Sequence, residues 1–108
     1  MGRQSRLRLA IRGPVYYSQR DEKAFYDWLR SITCVAEVGG RLRDVHITLK
    51  RRPSDSDLWD LLALLFRYRM NMKSLAAFRT TRNAKWFDDP KKFWHAKVFG
   101  RGTQRKSN

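Results

Sequence analysis

In residues 5–12, apolar Leu7, Leu9 and Ile11 alternate with Arg6, Arg8, Ala10 and Arg12. Only an extended strand resolves a period of two into one buried and one solvated face; a helix would scatter the same residues around its circumference. The period then changes. Gly13-Pro14 breaks the strand, and over 19–32 the residues Phe25, Trp28, Leu29 and Ile32 recur at helical spacing. Ser18 is placed to cap this helix, and Asp21 three residues later approximates a capping box. Asp21 and Glu22 also suit the positive end of the helix dipole.

Period two returns at about 34–38 and again at 43–50. In the later segment Val45, Ile47 and Leu49 face one way, and Asp44, His46, Thr48 and Lys50 the other. Gly39-Gly40 between the two segments predicts a tight hairpin turn, since glycine accepts the positive φ angles such turns need. Pro53 closes the sheet run, and Ser54-Asp55-Ser56-Asp57 opens a second helix, roughly 55–69. Leu58, Leu61, Leu62 and Leu65 form its stripe, widened by Trp59, Ala63 and Phe66. Arg67 and Arg69 complement its negative end.

Beyond Asn71 the periodicity weakens. Residues 73–78 read as a fourth strand or a short helix, with Leu75-Ala76-Ala77 favouring the helix. Thr80 or Thr81 caps a turn through Trp86-Phe87. Asp89-Pro90 reads as the start of a last helix to about Phe99, stopped by Gly100. The order of elements predicts an α+β fold forming a single small domain over residues 5–100. The expected topology is a ferredoxin-like split β-α-β: βαββα with a possible fourth strand, plus a C-terminal aromatic-rich helical segment. Residues 1–4 read as a flexible basic arm and 101–108 as a flexible basic tail.

The chain has 24 Lys+Arg against 10 Asp+Glu in 108 residues, a net charge of +14. That exceeds the roughly 2–8 charges that solubility alone favours in a small domain, so the excess is expected to serve an acidic partner. With hydrophobic residues at 42% and aromatics at 13%, the charge decorates a folded body rather than a disordered polycation. In the expected topology the first and third strands are neighbours. The face away from the helices would then show Arg6, Arg8, Arg12, His46 and Lys50, with Arg51 and Arg52 at its end.

RNA-recognition sheets use the same strand order but stack unpaired bases on exposed aromatic side chains. This face carries Arg, His, Thr and Lys instead, so contact through the phosphate backbone is expected, with steep salt dependence and little sequence preference. A second basic region lies in 61–87, which holds no acidic residue but includes Arg79, Arg82 and Lys85. Its continuation interleaves Lys91, Lys92 and Lys97 with aromatic residues, a composition that also suits a core with a solvated basic face.

Catalysis is not expected. The two histidines, His46 and His95, could act as base and acid only if brought together, and no spacing does so. Asp55, Asp57 and Asp60 gather where a helix start explains them. The single cysteine, Cys34, excludes an intrachain disulfide or a multi-cysteine metal site and reads as a small buried hydrophobe. No metal, cofactor or small-molecule substrate is expected. The first residues lack the apolar run of a signal peptide. The longest apolar stretch, 61–66, is far short of the ~20 residues of a membrane span. A cytoplasmic protein without a membrane partner is expected, bound to nucleic acid (RNA or DNA, with low sequence specificity) or, alternatively, acting as an inhibitor, immunity or adaptor module on an acidic protein.

Overall fold

The computed structural model describes residues 7–100; Arg6, the 1–4 arm and the 101–108 tail lie outside the described residues. The fold is α+β, with a three-stranded antiparallel sheet and several helices. The chain was expected to form one domain over 5–100; its contacts gather in two compact units, the first ending at Met70 and the second beginning at Asn71.

The first unit runs β1 (Leu7–Arg12), α1 (Gln19–Ser31), β2 (Val35–Arg41), β3 (Asp44–Leu49) and α2 (Asp55–Arg67), and its sheet has the order β1-β3-β2. β1 pairs with β3 from Leu7 opposite Leu49 to Arg12 opposite Asp44, the register that the shared alternation of the two segments demands. Ile11, Val45, Ile47 and Leu49 are buried on one face, joined by Val35 from β2. α1 lies against β2 and α2 and buries Phe25 and Leu29. Leu58, Leu61, Leu62, Leu64 and Leu65 are fully buried on α2. Cys34, at the entrance to β2, is also fully buried, and its carbonyl accepts the Lys50 N–H at 2.8 Å.

Both helix starts follow their capping residues. Ser18 Oγ accepts the Asp21 N–H, but the Asp21 carboxylate reaches past Ser18 to the N–H of Tyr17 at 2.8 Å. At α2 the capping box is complete: Ser54 Oγ accepts from Asp57 N–H, and Asp57 Oδ2 accepts from Ser54 N–H at 3.0 Å. α2 ends two residues earlier than expected. Arg69 takes a left-handed backbone (φ 59°), its N–H bonds the Phe66 carbonyl, and the Met70 N–H bonds the Leu65 carbonyl. This pair of bonds is the Schellman closure, whose left-handed position glycine usually fills.

The hairpin differs from expectation. Gly39 and Gly40 lie inside β2, and the turn is Leu42-Arg43, flanked by the pair Arg41–Asp44. Leu42 carries the positive φ (58°) at 98% exposure. The glycines have different surroundings. A Cβ at Gly40 would come 3.2 Å from Tyr26 Oη, whereas one at Gly39 would meet nothing within 4 Å. A strand can thus run through a Gly-Gly pair when its pairing favours it over a bend.

In the second unit, residues 73–78 are a 3-10 helix (Lys73–Phe78), not a fourth strand, and it buries Leu75 and Phe78. α3 (Ala84–Phe87) follows a reciprocal clasp in which Thr80 Oγ1 accepts from Asn83 N–H and Asn83 Oδ1 from Thr80 N–H. Asp89 does not start a long helix. Its carboxylate accepts the Lys91 N–H at 2.9 Å, an Asx turn that spends the cap locally, and α4 forms only at His95–Phe99. Trp94 is fully buried and donates its indole N–H to the Phe87 carbonyl at 2.8 Å.

Candidate functional site

Residues paired across antiparallel strands share a face, so the register gives the composition of the solvated side of the sheet. Its rows are Arg8–Thr48–Glu37, Ala10–His46–Gly39 and Arg12–Asp44–Arg41. Arg8, Arg12, Arg41, His46 and Glu37 are exposed. The arginine-lined face expected from β1 and β3 is therefore interrupted: β2 brings Glu37 as well as Arg41, and three arginines share the face with two carboxylates.

The remaining candidate residues separate. Lys50 is exposed just beyond β3. Arg51 is committed to structure. Its Nη1 donates to Asp57 Oδ2 at 2.7 Å and its Nη2 to Thr33 Oγ1 at 3.2 Å, while Thr33 donates to Asp57 Oδ1 at 2.6 Å. Burial alone would raise the Asp57 pKa; the bonds from Thr33, Arg51 and Ser54 outweigh it and hold the carboxyl well below the usual range. Arg52 is exposed. In the second unit Arg79 Nε donates to Asp88 Oδ2 at 2.7 Å, and the other Asp88 oxygen lies 2.7 Å from His95 Nε2. Arg82 and Lys85 are exposed there.

A denser concentration of charge lies at one end of the first unit. The row Arg12–Asp44–Arg41 ends the sheet, and the Leu42-Arg43 turn and the 13–18 loop extend from it. The Gly13 N–H donates to the Arg43 carbonyl at 2.7 Å, fixing that loop against the hairpin. A Cβ on Gly13 would sit 3.2 Å from the same carbonyl, so the close approach favours glycine. The C-terminus of α2 arrives at the same end. Tyr68 Oη donates to Asp21 Oδ1 at 3.2 Å, and the buried Phe25 ring meets Tyr68 edge-on at 4.9 Å.

Two clefts open on either side of the 13–15 segment. One, of about 420 Å³, has Arg12, Arg43, Glu22, Asp44 and Tyr26 in its lining. The other, of about 470 Å³, has Tyr17, Asp21, Arg67, Tyr68 and Arg69. Among the described residues no carboxylate forms an ion pair with Arg12, Arg41, Arg43, Arg67 or Arg69. Val15 is 71% and Tyr17 85% exposed. Both non-glycine residues with positive φ among the described residues, Leu42 and Arg69, belong to this end. Such backbones cost roughly 1–2 kcal/mol each, and strain of this kind gathers at functional sites.

Sequence reading did not group this end because its arginines come from three separate segments. The available signal was topological: in an antiparallel βαββα order, the end of β1, the β2–β3 turn and the end of α2 fall together. Among the described residues no helix is long and apolar enough to cross a membrane. Compared with protein-family models, with curated proteins and with solved structures, the chain matches none of them.

Proposed function

We propose that the chain is a small non-enzymatic module that binds nucleic acid, mainly through its phosphates. The observation that carries this reading is a set of arginines that form no ion pair among the described residues: Arg12 and Arg43 line one cleft, Arg67 and Arg69 line the other with the exposed Tyr17, and Arg41 ends the sheet opposite Asp44. Exposed guanidinium groups gathered at one end of the first unit concentrate positive potential where a polyanion can approach. Arg8 and His46 extend that surface along the sheet. The strand order β1-β3-β2, with α1 packed against both β2 and α2, supports a ferredoxin-like reading of the first unit without its fourth strand. We place the activity in the cytoplasm.

The test is binding of the full chain to mixed-sequence RNA and DNA oligonucleotides over a range of salt. Release of counterions from three to five phosphates gives a slope of log K against log salt of roughly −2 to −4. No binding at low salt, or affinity indifferent to salt, refutes the reading. A second reading, an inhibitor, immunity or adaptor module on an acidic protein, draws on Leu42 and Val15. Exposed apolar side chains that share a cleft lining with Arg12 and Arg43 also suit a protein interface. One stable acidic partner that survives nuclease treatment favours it.

A further inference from the structure

We propose that the cleft between the 13–17 loop and the end of α2 seats one unpaired nucleotide, its base on the Tyr17 ring and its phosphate at Arg67 and Arg69. This rests on the nucleic-acid reading and narrows it to single strands. The cleft's volume of about 470 Å³ falls within the range of small-ligand sites. Tyr17 has a fixed backbone and a free ring: its N–H is held by Asp21 Oδ2 at 2.8 Å, while the residue is 85% exposed. An aromatic side chain held at the surface by its own backbone is a stacking platform whose ordering cost is already partly met.

Arg69 supplies the second, independent observation. It occupies the left-handed position of the α2 closure, where glycine would relieve the backbone. A side chain retained there at a cost in strain is placed for use, and Arg69 lines the same cleft as Tyr17. Asp21 is the acid in this lining, and its two oxygens accept from Tyr17 N–H and Tyr68 O–H, so it serves as the bracket of the wall. Among the described residues the sheet face carries no exposed aromatic side chain; Tyr17 provides the ring from the loop that follows β1. A base inside a duplex cannot reach a single ring in a cleft, whereas an unstacked base can.

The experiment compares a labelled twelve-nucleotide oligouridine with a twelve-base-pair RNA duplex, at one salt concentration, by fluorescence anisotropy. The full chain is used as wild type, Tyr17→Ala and Tyr17→Phe, with circular dichroism to confirm folding. Tyr17→Ala is expected to weaken single-strand binding on the order of tenfold and to leave duplex binding unchanged. Tyr17→Phe is expected to retain the affinity, since stacking needs the ring and not the hydroxyl. Unchanged single-strand affinity in Tyr17→Ala, or equal losses on both probes, overturns the seat and leaves the broader reading standing. Wild-type protein that binds neither probe overturns both.

Discussion

The phenol of Tyr68 donates to Asp21 Oδ1 across 3.2 Å, joining the last turn of α2 to the first turn of α1, while Asp21 Oδ2 holds the Tyr17 N–H at 2.8 Å. One carboxylate thus sets the geometry of the cleft wall. Tyr68→Phe is expected to cost about 1 kcal/mol, the usual worth of one hydrogen bond. Asp21→Ala loses both bonds and is expected to cost about 2 kcal/mol in urea unfolding. Its effect on binding separates two accounts. Removing an acid raises the net charge, so electrostatics alone strengthens polyanion binding; loss of the bracket weakens it. We expect weaker single-strand binding, read by anisotropy on the folded variant.

Acid should act through Asp57. Its folded pKa is lowered, so its stabilising contribution is present above the unfolded carboxylate value near ~4 and fades as pH falls through the folded value. Asp88 is shifted the same way: burial opposes the shift, and the bonds from His95 and Arg79 overcome it. Unfolding midpoints in urea should therefore hold between pH 7 and about 5 and decline below about 4. Asp57→Asn should flatten that decline. Asp57→Ala, which leaves the box and Arg51 unanswered, is expected to cost about 3 kcal/mol at pH 7.

The two strand glycines should respond in opposite directions. Nothing lies within 4 Å of a Cβ at Gly39, so Gly39→Thr is expected to stabilise by about 0.5 kcal/mol through strand propensity. Gly40→Thr drives its Cβ to within 3.2 Å of Tyr26 Oη and is expected to destabilise by about 1 kcal/mol. A turn at Gly39-Gly40 would make both changes damaging, so thermal melts of the pair discriminate.

Arg69→Gly should make the protein sturdier and a poorer binder. Relieving the left-handed backbone is expected to gain about 1 kcal/mol. Loss of one phosphate contact should reduce the salt slope by roughly 0.7 for a single strand. Reduced affinity together with a higher melting temperature is the expected result; unchanged affinity removes Arg69 from the interface.

The first unit was largely legible because burial imposes a period. Leu7, Leu9 and Ile11 on β1 and Val45, Ile47 and Leu49 on β3 write their register in the alternation itself, and Ser18 and Ser54 mark helix starts by chemistry that acts over three residues. Gly39-Gly40 misled because a glycine pair permits a turn without requiring one; the pairing of both residues with β3, which sets the turn at Leu42-Arg43, shows only in the folded register. Asp89 misled because an Asx turn and a helix cap draw on the same carboxylate. The site was legible only in part. Arg8 and Arg12 follow from alternation, but Glu37 enters the face through a bulged register, and Arg43, Arg67 and Arg69 become neighbours of one loop only once the chain has folded.

Cys34 is the chain's one thiol, it is fully buried, and its pKa is pushed up to about 11, first by burial and then by the charge of Asp57. Alkylation needs both access and a thiolate, and the folded chain withholds each. A maleimide or disulfide reagent added under native conditions can therefore react only with molecules whose core has opened. The labelling rate becomes a clock for such openings, with its zero built into the sequence and no probe to engineer. Ligands that close the arginine-rich end would slow that clock, so a mass shift followed over hours could report occupancy of a surface the thiol never touches.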